Sequence, residues 1–187
     1  MKSIINRLPN REQVVLLFLA ISLPINFWAL VVFLQELPAY VLRMSAWEIL
    51  SVLAYILTLA LVDSLILLAI CVILLLFMPT SLLKGRYTAA GTMSAYLIIL
   101  WLIPIQYQES IAARFHVVEQ SWFVWLWLAL LFASFALFAI ILVRSEKFER
   151  MIRAYLERVS LLASVYLFFN FAGLLIVIAR NLIAANG

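Results

Sequence analysis

One carboxylate lies inside a long apolar run, where an ionised group is costly. Asp63 sits at the centre of Leu-Ala-Leu-Val-Asp-Ser-Leu-Ile-Leu-Leu (59–68). In a membrane-spanning helix, an acid at the bilayer centre costs about 2.5–3.5 kcal/mol, and desolvation favours its neutral form. We therefore expect the Asp63 side chain to face the interior of a helix bundle, to be protonated, or to bind a partner.

Polar residues of other apolar runs are the expected partners of Asp63. Asn170 and Asn26 lie at similar depth, Ser64 is adjacent in sequence, and Ser22 and Ser134 are weaker candidates. Three roles follow: an interhelical hydrogen bond between neutral Asp63 and Asn170, a proton or cation site, or pairing with a basic residue of another subunit. The first is favoured, because a lone acid without a second ionisable group makes a poor transport pathway.

A second group of polar residues lies in the segment 106–120. His116 and Glu119 could act together as a general base, but the available nucleophiles, Ser110 and Ser121, occur in no recognisable motif. A solvated loop that orients the neighbouring helices is the better interpretation. The predicted outer-loop polar cluster comprises Glu109, Arg114, His116 and Glu119.

The sequence offers little else for catalysis. With one cysteine and one histidine, it excludes an intrachain disulfide, a CxxC pair, a bis-histidine haem and a zinc site. It contains no GxSxG, HExxH, P-loop or GxGxxG motif. We expect no catalytic residue, no metal site and no cofactor.

Composition places the chain in lipid. Of 187 residues, 68% are hydrophobic and 12% charged, with a mean hydropathy of +1.17, whereas soluble domains are about half apolar and about a quarter charged. We predict an all-α polytopic membrane protein, a single domain over 1–187. Its five transmembrane helices are expected at about 14–34, 49–78, 89–107, 122–143 and 159–179. Four of them are near the length of about 20 residues that a bilayer requires. The second exceeds that length, so we expect it to tilt or to begin in the outer headgroup layer.

The distribution of charge predicts the orientation. With the N-terminus in the cytoplasm, ten basic residues fall on the cytoplasmic side and three on the outer side (Arg43, Arg114 and Arg180). The C-terminus is then extracytoplasmic. This bias and the lack of a cleavable presequence favour a prokaryotic plasma (inner) membrane. The tryptophans lie towards the outer side, as in an interfacial aromatic belt or a collar around a lipid or partner helix.

The segment 145–158 has an amphipathic pattern. Apolar residues recur at helical spacing from Phe148 to Val159, and Glu146–Arg150 and Glu149–Arg153 form favourable i,i+4 pairs. We predict a separate helix in the cytoplasmic interface, serving as an anchor or as a docking helix for a cytoplasmic partner.

Topology and one short string carry a resemblance to a known family. Five spans with the N-terminus inside, and Arg114-Phe115-His116 shortly before Trp122, resemble the membrane domain of lipoteichoic-acid synthases and lipid-A phosphoethanolamine transferases. In that group a sulfatase-like catalytic domain follows the fifth span. Because the sequence ends at Gly187, we expect that domain to be absent and transfer no catalytic residue. The resemblance implies a lipid-facing membrane domain that works beside a separate protein.

Taken together, these patterns favour a non-catalytic membrane subunit or scaffold. Helix contacts through small residues at four-residue spacing, Ala129/Ala133 and Ser160/Ser164, are expected. Membrane lipids and another membrane subunit or a second copy are the expected partners, and nucleic acid is not. The alternative is a small transporter or lipid-handling protein with a midplane polar site of Asp63, Asn26, Asn170 and Ser64. An enzyme that uses His116 on a lipid headgroup ranks third.

Overall fold

The chain folds into helices throughout the part that the structure describes. The computed structural model describes the backbone of residues 10–78, 86–106, 120–144 and 146–186. Within these ranges the helices are α1 (Arg11–Arg43), α2 (Ala46–Phe77), α3 (Tyr87–Gln106), α4 (Gln120–Arg144) and α5 (Glu146–Asn186). The predicted all-α fold with five long helices is confirmed.

Three of these helices are long and apolar enough to cross a membrane. The qualifying stretches are Arg11–Arg43, Ala46–Phe77 and Arg150–Ile183. In α3 and α4 the described apolar stretches are shorter, Tyr87–Leu102 and Trp125–Leu137. Five membrane spans therefore remain a prediction, whereas three candidate spans follow from length and composition.

Side-chain caps fix the beginnings of α1 and α2. The Asn10 side chain accepts a hydrogen bond from the Arg11 amide at 2.8 Å, and the Gln13 side chain accepts one from the Asn10 amide at 3.0 Å. At α2 the Glu48 carboxylate accepts hydrogen bonds from the amide and hydroxyl of Ser45 at 2.7 and 2.9 Å. Both caps satisfy amides that helical geometry leaves unbonded.

The first helix is longer than the predicted span. It ends at Arg43 rather than near residue 34, and both Pro24 and Pro38 lie within it. Only Met44 and Ser45 then connect it to α2. A proline removes one helical hydrogen bond, but packing can hold the helix continuous past it. The stretch 35–48, which separates the first two predicted spans, is thus mostly helix.

The chain divides into two compact units. One comprises 10–70 and 154–187, which contain α1, most of α2 and most of α5, and we call it the three-helix unit. The other lies within 71–153, and its described helices include α3 and α4. The single domain predicted over 1–187 stays a prediction.

Within the three-helix unit, α5 approaches α2 closely at a glycine. A Cβ atom added at Gly173 would lie 3.0 Å from the Ala54 carbonyl oxygen and 3.3 Å from the Leu57 Cβ. Towards the C-terminal end of α5, the Tyr55 hydroxyl donates to the Asn181 Oδ1 at 3.0 Å, and the Arg180 guanidinium lies 5.9 Å from the centre of the Tyr55 ring. Absence of a side chain permits such backbone approach between helices.

The predicted interfacial helix is not separate from the last span. Helix α5 runs without interruption from Glu146 to Asn186, because the sequence between residue 146 and Val159 contains neither glycine nor proline. Fewer residues of the predicted apolar stripe are buried than the pattern indicated. Ile152, Leu156 and Val159 are buried, whereas Met151 and Tyr155 are exposed.

In the second unit a tryptophan joins α3 to α4. The Trp101 indole N–H donates to the Ser134 hydroxyl at 3.1 Å, and that hydroxyl donates to the Leu131 carbonyl at 2.7 Å. The Trp101 and Trp127 rings meet edge to face with centroids 4.7 Å apart. Ser134, a weaker candidate partner for Asp63, thus accepts from an indole instead, and Trp101 takes part in helix packing.

Replacing Gly173 with valine should separate α5 from α2. The branched side chain must enter space that the Ala54 carbonyl and Leu57 already occupy, and overpacking of this kind costs about 1–3 kcal/mol. We expect a lower midpoint of thermal unfolding in detergent. Ala179→Val, at an exposed position of the same helix, is the control. Equal midpoints for the two variants would contradict the close contact.

Candidate functional site

Asp63 lies on the surface of the three-helix unit. It occupies a position near the middle of the 32-residue α2, and its side chain is exposed. It makes no hydrogen bond or ion pair with any residue in the ranges that the structure describes. Within the three-helix unit, the Asp63 side chain therefore does not face the interior, which was one of the three predicted outcomes.

The other predicted members of the intramembrane site are buried. Asn26 in α1, Ser64 in α2 and Asn170 in α5 each have no exposed surface. The Asn26 Nδ2 donates to the Ser22 carbonyl at 2.8 Å, but its Oδ1 has no partner. Asn170 is the extreme case, because neither its Nδ2 nor its Oδ1 has a hydrogen-bond partner among the residues that the structure describes.

The predicted hydrogen bond between Asp63 and Asn170 is therefore not formed. Serine hydroxyls do not join the helices at these positions either, because each bonds to a carbonyl of its own helix. Ser22 donates to Leu19, and Ser64 donates to Ala60. Such back-bonding satisfies a hydroxyl without a second helix. The structure thus separates an exposed carboxylate from buried polar groups.

Sequence reasoning missed the polar contact that does join α2 and α5. The Tyr55–Asn181 hydrogen bond crosses between these helices, with Arg180 beside the tyrosine ring. Glu48 lies one helical turn before Ser51 in α2. Its carboxylate also interacts electrostatically with the Arg180 guanidinium. The sequence did contain a signal for this contact. Tyr55 lies near the start of one predicted span, and an Arg-Asn pair follows the end of another. In the predicted topology these donors and acceptors lie at the same membrane face.

The outer-loop polar cluster lies outside the described residues. This applies to Glu109, Arg114, His116 and Glu119, so their predicted roles are untested. Within the ranges that are described, no three His, Cys, Asp or Glu side chains come together as a metal site would require. Cys71 is a free, buried thiol.

Comparisons with family models, curated proteins and solved structures gave no match. The resemblance to the membrane domain of lipoteichoic-acid synthases and phosphoethanolamine transferases stays a prediction. The proposed function therefore rests on the geometry of the described residues. Its main features are the exposed Asp63 carboxylate near the middle of an apolar helix and two buried carboxamides, Asn26 and Asn170, that have atoms without hydrogen-bond partners among the described residues.

Asn170→Leu should leave the protein at least as stable as the wild type. A buried carboxamide without partners loses its solvation, and an unsatisfied buried group costs about 1–3 kcal/mol. Leucine has a similar volume and no such requirement. We expect an equal or higher thermal midpoint in detergent. The matched variant Asn26→Leu also breaks the bond to Ser22, so its gain should be smaller. A marked loss of stability in Asn170→Leu would show that the carboxamide binds something essential.

Proposed function

We propose that this protein is a non-catalytic integral membrane subunit or scaffold that packs with partner membrane proteins. The observation that carries the proposal is the position of Asp63. A carboxylate is exposed near the middle of a helix whose surroundings are apolar. Facing hydrocarbon, it would be strongly disfavoured, whereas at an interface with another membrane protein it gains a partner.

The exposed surface of the three-helix unit supports the same proposal. Large apolar side chains are exposed along α2 and α5, as helices in contact with lipid or with another membrane protein require. The proposed setting is the plasma (inner) membrane, with the N-terminus cytoplasmic and the C-terminus extracytoplasmic. The proposed ligands are lipids and a protein partner, with no cofactor.

A second candidate function rests on the buried carboxamides. Asn170 and Asn26 hold polar atoms without partners inside the chain, and such atoms could bind a small polar substrate of a transporter or lipid-handling protein. Asp63 does not join them in this structure, so the proposed midplane site lacks an ionisable group. The subunit function is therefore favoured.

Capture of the intact complex tests the proposed function. The tagged full-length chain is extracted from its native membrane in mild detergent, and the intact species is weighed by mass spectrometry. We expect a second membrane protein in stoichiometric amount, because the exposed carboxylate requires a partner. A monomer or homo-oligomer with retained lipid would overturn the subunit function and favour the lipid-handling alternative.

The proposed orientation is tested separately by labelling. In a Cys71→Ser background, Ile183→Cys places a thiol near the end of α5 and Glu12→Cys places one near the start of α1; both positions are exposed. A membrane-impermeant maleimide should label Ile183→Cys in intact spheroplasts and Glu12→Cys only after permeabilisation. The reverse pattern would invert the orientation, and labelling of both from outside would contradict an odd number of spans.

A further inference from the structure

The exposed carboxylate belongs to a regular stripe of α2. Leu59, Asp63, Ile66 and Ile70 follow each other at intervals of four, three and four residues. The side chains of Leu59, Ile66 and Ile70 are 60%, 54% and 43% exposed, and Asp63 is exposed between them. We call these four residues the docking stripe. Their spacing is that of the seam along which two helices pack side by side with a left-handed crossing.

The fold of the three-helix unit leaves the docking stripe uncovered. Buried positions of α2 in this unit lie on a different stripe, which includes Leu57, Ala60, Ser64 and Leu67. Gly173 approaches α2 at Ala54 and Leu57, on that buried stripe. Within the three-helix unit, the helix therefore has one seam that packs against another helix and a second seam, centred on a carboxylate, that does not.

We propose that the docking stripe binds a transmembrane helix of a different protein that carries a lysine or arginine at mid-membrane depth. The inference rests on the proposed function and names the chemistry of the partner. In a medium of low dielectric constant, a cation next to the carboxylate offsets much of the desolvation of both groups. One charged residue in an otherwise apolar seam also fixes the register of the two helices.

A second copy of the chain fits the docking stripe poorly. Packing of the same stripe in two copies would bring the two Asp63 carboxylates together, which is repulsive when both are charged. The chain also has no cation to offer at this depth, because 14–34, 49–78, 89–107, 122–143 and 159–179 contain no lysine or arginine. Charge complementarity therefore points to a different protein.

A designed peptide provides a defined probe of this site. The purified full-length protein, labelled on an N-terminal tag, is reconstituted in phosphatidylcholine vesicles with a labelled leucine–alanine transmembrane peptide that has one central lysine. A central position gives the lysine the same depth in either peptide orientation. Energy transfer should show association about tenfold tighter than for the same peptide without lysine, a difference of about 1.4 kcal/mol.

Three comparisons assign the effect to the carboxylate at this depth. Asp63→Asn keeps the size of the side chain and removes the charge, so the preference for the lysine peptide should disappear. Glu157→Gln removes another exposed carboxylate, on α5 outside the stripe, and should leave the preference unchanged. Moving the lysine two helical turns along the peptide should also abolish the preference.

Three results would overturn the inference. They are equal association of peptides with and without lysine, an unchanged preference in Asp63→Asn, and self-association of the protein that depends on Asp63 while the lysine peptide fails to bind. The capture experiment separates this failure from that of the proposed function. A stoichiometric partner that Asp63→Asn retains would leave the subunit function intact and refute the docking stripe. Specific binding of the lysine peptide, with no partner captured from the native membrane, would support the docking stripe and overturn the proposed subunit function.

Discussion

The close contact at Gly173 determines much of the three-helix unit. Because the α5 backbone lies against the Ala54 carbonyl, the end of α5 comes within reach of Tyr55, which bonds to Asn181. Asn170, one helical turn before Gly173, lies on the same face of α5 and is fully buried. Between helices surrounded by lipid, apolar contact gains little from water exclusion, so close packing and a few polar bonds provide most of the association energy.

In α1, α2 and α5, polar side chains within the apolar stretches behave according to type. Hydroxyls such as those of Ser22 and Ser64 bond to the preceding turn and impose no requirement on a neighbour. The carboxamide of Asn170 is buried with unbonded atoms. The carboxylate of Asp63 is the group left on the surface. Within the three-helix unit, the polar group that most needs a partner is therefore the one that the unit leaves exposed.

The sequence was sufficient to predict the helices but not the faces they present. Long apolar runs located all five helices, and the missing breakers between residues 146 and 159 explain why α5 is longer than its predicted span. The side on which Asp63 lies could not be read from the pattern, because α2 is apolar on every side and no periodicity marks its interior. Its orientation depends on the α5 contact at Gly173, and a single glycine in a sequence does not reveal what approaches it.

The two-residue connection between α1 and α2 has a consequence for biogenesis. Only Met44 and Ser45 lie between the two helices, so in the proposed membrane they would insert together as one hairpin. The free energies of insertion of α1 and α2 then add. Each central Leu, Ile, Phe or Val favours insertion by about 0.3–0.6 kcal/mol, and about six of them offset one acidic residue at the centre. The hairpin contains many more, so the cost of the carboxylate does not by itself prevent the hairpin from entering the proposed membrane.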